Sequence, residues 1–523
     1  MTLALIGILL SLAVLITLAY RGHSVIAVAP FAASIAVIMS GAPLLASYTQ
    51  IFMPALGSFL VAFFPLFLVG AIFGRLMTIS GYAHDLAGWI SGMLGPRFAI
   101  LVTVLATALL TYGGVSAWVV VFTIFPIGMA LFEEADIPRR LMPAAIALGI
   151  FTFATAALPG SPQIHNTIPT KFFGTNTFAA PGLGLLAAVI VFGLGMLWLE
   201  RRQKQLALAG ESFWDATSAE LKEAERLGGD VRTADGAGTA RPSPGVGGGT
   251  SDDEGGARRV SPGPAAGTRE MPAASPSVAP EPVTTGARTS AAAGLIGLSP
   301  ILAIVLVNAL CTYVLFPALD SGYLAEEKFG ATSLDGVIGI WSVTVAMLAG
   351  IVLVFLMRIR SFPEYVEGLT EGAKNAVLPV FNTASEVGYG AVIASLAVFA
   401  VIRDNLFGIS DNPVIVAAAS TSGISGLTGS ASGGLTITLQ TFGADLAQMA
   451  TDQSISMDLM HRVTAMASIG FDSLPHNGAI ITLLLVTGLS HRESYKDIFV
   501  VTVLVPLAGL LTVVGLGLAV GSF

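Results

Sequence analysis

The chain has little charge and almost no cysteine. Only 11% of its 523 residues are Asp, Glu, Lys or Arg, against roughly 25% in an average soluble chain. That shortfall excludes an ordinary cytosolic enzyme and a disordered protein alike. The single cysteine, Cys311, excludes an internal disulfide and any cysteine-based metal cluster. Acidic residues outnumber basic ones, 33 to 25, so the net charge of −8 provides no basic surface for nucleic acid. The six histidines, His23, His84, His165, His461, His476 and His491, are scattered without HExxH or comparable ligand spacing, and no metal site is expected. No GxxxxGK[ST] phosphate loop occurs, so ATP is not a direct energy source. No nucleophile elbow with plausible partners occurs either, so neither catalysis nor a cofactor is expected.

What is abundant is apolar. Hydrophobic residues make up 54% of the chain, and the mean hydropathy is +0.80. With aromatics at 8%, the excess comes from Leu, Ile, Val and Ala, and it points to an all-α polytopic membrane protein. The first residues carry no charged run and no small-residue cleavage site, so Thr2–Tyr20 reads as a retained span rather than a cleaved signal. One segment does not fit a membrane. Residues 203–293 contain GVGGGTSDDEGG and SPGPAAGT, and bury too little apolar surface to offset their ordering entropy. They read as a disordered insert with a short helix at its start, near Trp214–Arg226, between a first membrane repeat (1–202) and a second (294–523).

Apolar stretches long enough to span occur at 2–20, 25–40, 54–79, 141–172 and 181–199, and again at 295–316, 336–357, 374–402, 459–489 and 498–520. Two further stretches, 98–131 and 413–443, carry small polar residues in their middles, TYGGVSAW (111–118) and TGSASGGL (428–435). Such runs suit re-entrant helical hairpins whose irregular tips are buried in protein or line a wet cavity. The halves match at a nearly constant offset. Pro96 and Pro413, the two tips, Leu141-Met142 and Leu459-Met460, Leu158-Pro159 and Leu474-Pro475, and Pro65-Leu66-Phe67 and Pro379-Val380-Phe381 are paired 314 to 318 residues apart. Five crossings and one hairpin per half place the second repeat upside down relative to the first, the inverted-repeat plan of secondary transporters.

Charge tests that topology. With both termini outside, and leaving aside the rest of the insert, thirteen Lys and Arg fall on cytosolic loops: Arg21, Arg75, Arg97, Arg139, Arg140, Arg201, Arg202, Lys204, Arg358, Arg360, Lys374, Arg492 and Lys496. Only Lys171, Lys328, Arg403 and Arg462 fall outside. The positive-inside rule therefore puts the insert in the cytosol of a multi-pass cell (inner) membrane protein.

Two long segments are broken at mid-depth. ALPGSPQIHNTIPT (157–170) places Ser161, Gln163, His165, Asn166 and Thr167 around prolines and a glycine that free backbone groups. GFDSLPHNGAIIT (470–482) does the same with Asp472, Ser473, His476 and Asn477. Paired breaks in two halves mark a transporter's binding site. A third polar cluster, NTASEVGYG (382–390), holds Glu386 inside an apolar segment. An ionised side chain there costs roughly 2.5–3.5 kcal/mol, which implies a function or a partner. Glu386 is the first candidate for proton coupling and Asp472 the second, unless Asp472 simply caps the half-helix after the break. The hairpin tips add Gly113, Gly114 and Ser116, and Ser430, Ser432 and Gly433, as candidate substrate contacts. The set is rich in hydroxyl, amide and backbone N–H groups and lacks an embedded Arg or Lys, so a small hydroxylated carboxylate fits its chemistry. A sodium-coupled symporter is the variant, because unwound carbonyls also coordinate Na⁺. A passive anion channel is the less favoured class.

At these residues the sequence resembles the gluconate permease family, proton-linked gluconate and hydroxy-acid symporters of the wider ion-transporter superfamily. The resemblance rests on PGSPQIHNTIPTKFFGTNTFAAPGLG (159–184) and DSLPHNGAIITLLLVTGLSHRESYKDI (472–498). It implies inverted repeats with two re-entrant hairpins, a scaffold that forms a homodimer, and a part that moves across the membrane. It also implies import of a sugar acid or related carboxylate with a proton. Gluconate importers of the family carry a run like SHVNDSGFW where this chain has DSLPHNGAI. The chain is more similar to the subgroup associated with short hydroxy acids such as 3-hydroxybutyrate. The long insert is not a usual feature of the family.

Overall fold

A computed structural model describes residues 2–20, 23–115, 117–215, 290–357, 362–475 and 477–523. These residues belong to one unit, Met1–Ala219 with Gly286–Phe523. Most of the insert, and the helix expected near Trp214–Arg226 from residue 216 onward, lie outside the described residues. So do Ser116 and His476.

Every regular element among the described residues is helical. In chain order they are α1 (Thr2–Tyr20), α2 (Val25–Met39), α3 (Leu44–Ile79), α4 (Tyr82–Leu94), α5 (Ala99–Tyr112), α6 (Ala117–Glu134), α7 (Met142–Ile150), α8 (Phe153–Ala156), α9 (Ile164–Phe173) and α10 (Pro181–Leu208). After the insert come α11 (Ala291–Ala318), α12 (Leu334–Met357), α13 (Phe362–Ser395), α14 (Phe399–Phe407), α15 (Pro413–Thr428), α16 (Ala431–Asp452), α17 (Met457–Ser468), α18 (Gly478–Thr487) and α19 (His491–Val520). The same succession occurs twice: two helices, a longer third, a short arm, a helix pair, an interrupted helix and a last long helix.

Among the described residues, five helices are long and apolar enough to cross a bilayer: α3, α10, α11, α12 and α19. Their outer faces expose large apolar side chains such as Val61, Leu306 and Leu511, as lipid contact requires. The pairs at 98–131 and 413–443 form with breaks at the expected tips. The first helix of each is 14 or 16 residues long. At 1.5 Å per residue these reach about 21 and 24 Å, short of a hydrocarbon core of roughly 30 Å. Each tip turns on a glycine with positive φ, Gly114 at +87° and Gly429 at +62°, a conformation in which a Cβ would be strained.

Three expectations change. Helices α4 and α14 were not anticipated, because each is short and amphipathic rather than uniformly apolar. α4 buries one stripe, Tyr82, Ala83, Leu86, Ala87 and Ile90, and meets α5 at 109°. The insert boundaries also move: α10 continues to Leu208 and α11 begins at Ala291. Residues 209–215 dock on the turn after α6, where Phe213 N–H donates to Asp136 Oδ1 at 3.0 Å and Arg140 pairs with Glu211 at 3.4 Å. Finally, the first broken span carries an additional interruption at Phe151–Thr152, between α7 and α8.

The half-helices before the two breaks form the centre of the molecule. Every residue of α7 is buried, as is every residue of α17 from Leu459 to Ser468. The irregular backbone after α8 (157–163) is buried or half-buried throughout, whereas the second break exposes Phe471, Pro475 and Gly478.

Close packing of the second hairpin depends on small residues. A Cβ on Gly434 in α16 would collide with the backbone of Ser425 in α15, whereas Gly423 has open space around it. Gly434→Ala is expected to lose about 1–3 kcal/mol through overpacking. Gly423→Ala is expected to be neutral or slightly stabilising. Thermal unfolding of the two variants in detergent, side by side, measures the difference.

Candidate functional site

Each break falls where proline lacks an N–H donor and glycine frees the backbone to turn, and named side chains take up the freed carbonyls. At the first break, Ser161 Oγ donates to Ala154 O at 2.9 Å, and Asn166 Nδ2 donates to Ser161 O at 3.0 Å and Thr177 O at 2.7 Å. Thr167 Oγ1 donates to Gln163 O at 3.1 Å. The principal clamp comes from the other half of the chain. Arg462 in α17 is completely buried. Its Nη1 donates to Ala156 O at 2.6 Å and Asn166 Oδ1 at 2.9 Å, and its Nε and Nη2 donate to Ala179 O at 3.2 and 2.6 Å. Its neighbour His461 bonds Thr175 Oγ1 through Nδ1 at 2.7 Å.

This overturns two readings of Arg462. It does not lie in an outside loop and carries no weight in the positive-inside comparison, which becomes thirteen to three. An embedded arginine is also present, though behind the first break rather than in the site. Its position in sequence, just after Leu459-Met460 in a segment of mixed polarity, gave no sign that the side chain turns inward.

At the second break, Asp472 Oδ1 accepts from Gly470 N–H at 2.8 Å and Ser473 Oγ at 3.3 Å. It caps that turn and not the following half-helix. Asn477 is the cap of α18, accepting from Ile480 N–H at 2.9 Å while its Nδ2 donates to Asp472 O at 2.8 Å. From α19, Tyr495 Oη donates to Ser473 O at 3.0 Å, and His491 Nε2 lies 3.1 Å from Pro475 O.

Both breaks and both hairpins meet at one cavity of about 380 Å³. Of the residues singled out in the sequence, Gln163, His165, Glu386, Ser430, Ser432, Asp472 and Asn477 line it. Ser161, Asn166 and Thr167 do not line it; they are fully buried and repair the first break. Gly113 packs on Ile301, Gly114 faces an adjoining cavity, and Gly433 comes so close to Glu386 that a Cβ there would collide with the carboxylate. Several lining residues had not been named as contacts: Phe67, Thr111, Thr155, Asn382, Thr383 and Thr428, of which only Thr155 lies outside the motifs singled out. Asn382, Thr383 and Glu386 were legible as one face of a helix, at i, i+1 and i+4. The threonines give no such signal, since in membrane helices most bond back to their own carbonyls.

Glu386, on α13, lies beside the N-terminus of α16. Ser430 Oγ donates to its Oε2 at 3.3 Å and accepts from Gly433 N–H at 3.1 Å. The helix N-terminus carries partial positive charge, which complements a carboxylate there. Three buried polar atoms of residues that line the cavity, Thr111 Oγ1, His165 Nδ1 and Asn382 Oδ1, have no partner among the described residues. The lining holds two carboxyl groups, three amides, several hydroxyls and no lysine or arginine.

An all-helical membrane protein whose interrupted helices and hairpin tips converge on a polar cavity has the architecture of a transporter. No protein-family model matches the chain. It is 38% identical over 508 residues, 96% of each chain, to the Bacillus subtilis (strain 168) protein named "Uncharacterized transporter YxjC", and it belongs to that transporter's family.

Arg462→Met leaves Ala156 O, Ala179 O and Asn166 Oδ1 without their donor. Each buried group left unpaired costs about 1–3 kcal/mol. A marked fall in melting temperature in detergent is therefore expected, and none for Lys204→Met at an exposed site of α10.

Proposed function

We propose that the chain is a proton-coupled importer of a small hydroxylated carboxylate, gluconate or a short hydroxy acid such as 3-hydroxybutyrate, in the manner of the gluconate permeases it resembles. The observation that carries this reading is the pairing of Glu386 and Asp472 with amides and hydroxyls in a cavity lined by no lysine or arginine. Hydroxyls and amides suit the substrate's own hydroxyls, and the first turn of α16 presents N–H groups to a carboxylate. A carboxylate bound beside ionised Glu386 would be repelled at short range in a low dielectric. A proton that enters with the substrate removes that repulsion, so binding of anion and proton are linked by charge. Glu386 takes the proton and Asp472 is the second carboxyl. The unpartnered His165 and Asn382 contact the substrate together with Gln163, Ser430, Ser432 and Asn477.

In this reading the repeats are inverted and the two helix pairs are re-entrant. The termini lie outside, the insert is cytosolic and the scaffold forms a homodimer in the cell membrane. One proton per monoanion is electroneutral. A potential of 100 mV, worth about 2.3 kcal/mol per charge, should therefore leave accumulation unchanged at constant pH gradient.

The test is uptake of labelled gluconate and 3-hydroxybutyrate into proteoliposomes under an inward-acid gradient, wild type beside Glu386→Gln. Wild type accumulates one label and loses it when the gradient collapses. Glu386→Gln exchanges that label across the membrane but no longer concentrates it. Accumulation that requires sodium, and fails when choline replaces it, would move the coupling to Na⁺. Simple equilibration of either label would indicate a channel.

A further inference from the structure

The site has a second, smaller space beside it. A cavity of about 190 Å³ adjoins the 380 Å³ one, and five residues line both: Phe67, Ala117, Gln163, Ile164 and Pro379. Those five form the boundary between the two spaces. They come from four places: α3, the start of α6, the first break and α13.

Position along α3 and α13 gives the boundary a direction. On α13 the lining residues run from Glu386 through Thr383 and Asn382 to Pro379 in the larger cavity, then to Ala376 and Asn375 in the smaller. On α3 they run from Phe67 to Gly70 and Ala71. One turn further on, Arg75 of α3 and Glu371 of α13 pair at 2.5 Å, at the end of both helices that positive charge assigns to the cytosol. Asn375 is exposed while Thr383 is 7% exposed, so the smaller cavity is open at Asn375; the larger has an opening of its own, past exposed Gly478 and partly exposed Glu386 and Ser430.

Two side chains occupy the boundary and join elements across it. Gln163 is fastened by its Nε2 to Thr111 O at 2.6 Å and Val115 O at 3.4 Å, which ties the first break to the tip of the first hairpin. Any shift of the hairpin relative to the break releases that amide. Phe67 closes the boundary from α3, with its ring in edge contact with Phe59 at 6.3 Å. Pro379 has no N–H to offer Asn375 O one turn before it, which leaves an acceptor on the outer side.

We propose that Phe67 and Gln163 form the cytosolic gate of this transporter, and that the smaller cavity is an exit vestibule where the Asn375 amide receives the departing hydroxy-carboxylate. The identity of that passenger rests on the functional reading above; the gate rests on the two cavities and their shared boundary.

The only native thiol is Cys311, which is 1% exposed and serves as an unreactive background. Asn375→Cys and Thr383→Cys are placed on either side of the gate and labelled with a membrane-impermeant maleimide in inside-out and right-side-out vesicles. Asn375→Cys should react from the cytosolic side, and Thr383→Cys slowly from that side. Adding Phe67→Ala should make Thr383→Cys react about tenfold faster, equivalent to lowering the access barrier by about 1.4 kcal/mol. Phe67→Leu should change little. Gln163→Ala provides the same measurement if the Phe67→Ala protein does not fold.

Equal Thr383→Cys rates with and without the gate substitutions would overturn the gate. An Asn375→Cys that reacts only from the external side, or from neither, would overturn the vestibule. Labelling needs no substrate. The expected pattern in a protein that accumulates neither gluconate nor 3-hydroxybutyrate would keep the gate and discard the substrate assignment.

Discussion

Within a bilayer, every backbone N–H and C=O has to find its partner inside the protein, because hydrocarbon offers none. The rest of this structure depends on how that constraint is met at two broken helices. At the first break, one guanidinium supplies four of the bonds, to Ala156 O, Ala179 O and Asn166 Oδ1. Its planar fork suits several carbonyls at once, and a lysine ammonium would not reproduce that geometry. Asn166 links the clamp to its surroundings, donating to Ser161 O and Thr177 O while accepting from Arg462. Asn308 of α11 extends the network by donating to Gly160 O and Thr177 Oγ1.

The two breaks are held unequally. The first is locked by a fully buried cation contributed by the opposite half of the chain. The second is held by local caps, Asp472 and Asn477, and by Tyr495 and half-buried His491 of α19, the His491 bond being exposed to solvent. A polar network sealed from water is costly to disturb, since every broken bond leaves a buried group unpaired. Residues at an exposed bond can exchange partners with solvent. Arg462 thus makes the first break, and the Gln163–His165 edge of the cavity with it, the firmer wall.

The same arrangement separates charge. The arginine lies behind the first break with its hydrogen bonds satisfied, and the carboxyls of Glu386 and Asp472 face the cavity. Positive charge supports the backbone of the first break while negative charge lines the cavity. A cavity so lined disfavours a bare anion and accommodates an anion accompanied by a cation.

Much of this was legible in the sequence. Apolar runs, Gly-rich tips and a repeat at constant offset located the long helices, both helix pairs and both breaks, because helices in lipid are read from composition and from where Pro and Gly interrupt it. Glu386 stood out because a carboxyl in an apolar run is costly wherever the chain folds. Helices α4 and α14 did not stand out, since a short amphipathic stripe resembles a loop until something covers its apolar face. The division of polar residues was invisible for a related reason. Ser161, Asn166 and Thr167 look like neighbouring site residues, yet they face the carbonyls of the break while Gln163 and His165 face the cavity. That division depends on which way an irregular backbone turns. Arg462 was misread outright because its partners lie about 300 residues away in the chain. Local chemistry determined where the helices must break. Only the tertiary structure decided which buried groups repair those breaks and which are left free for a ligand.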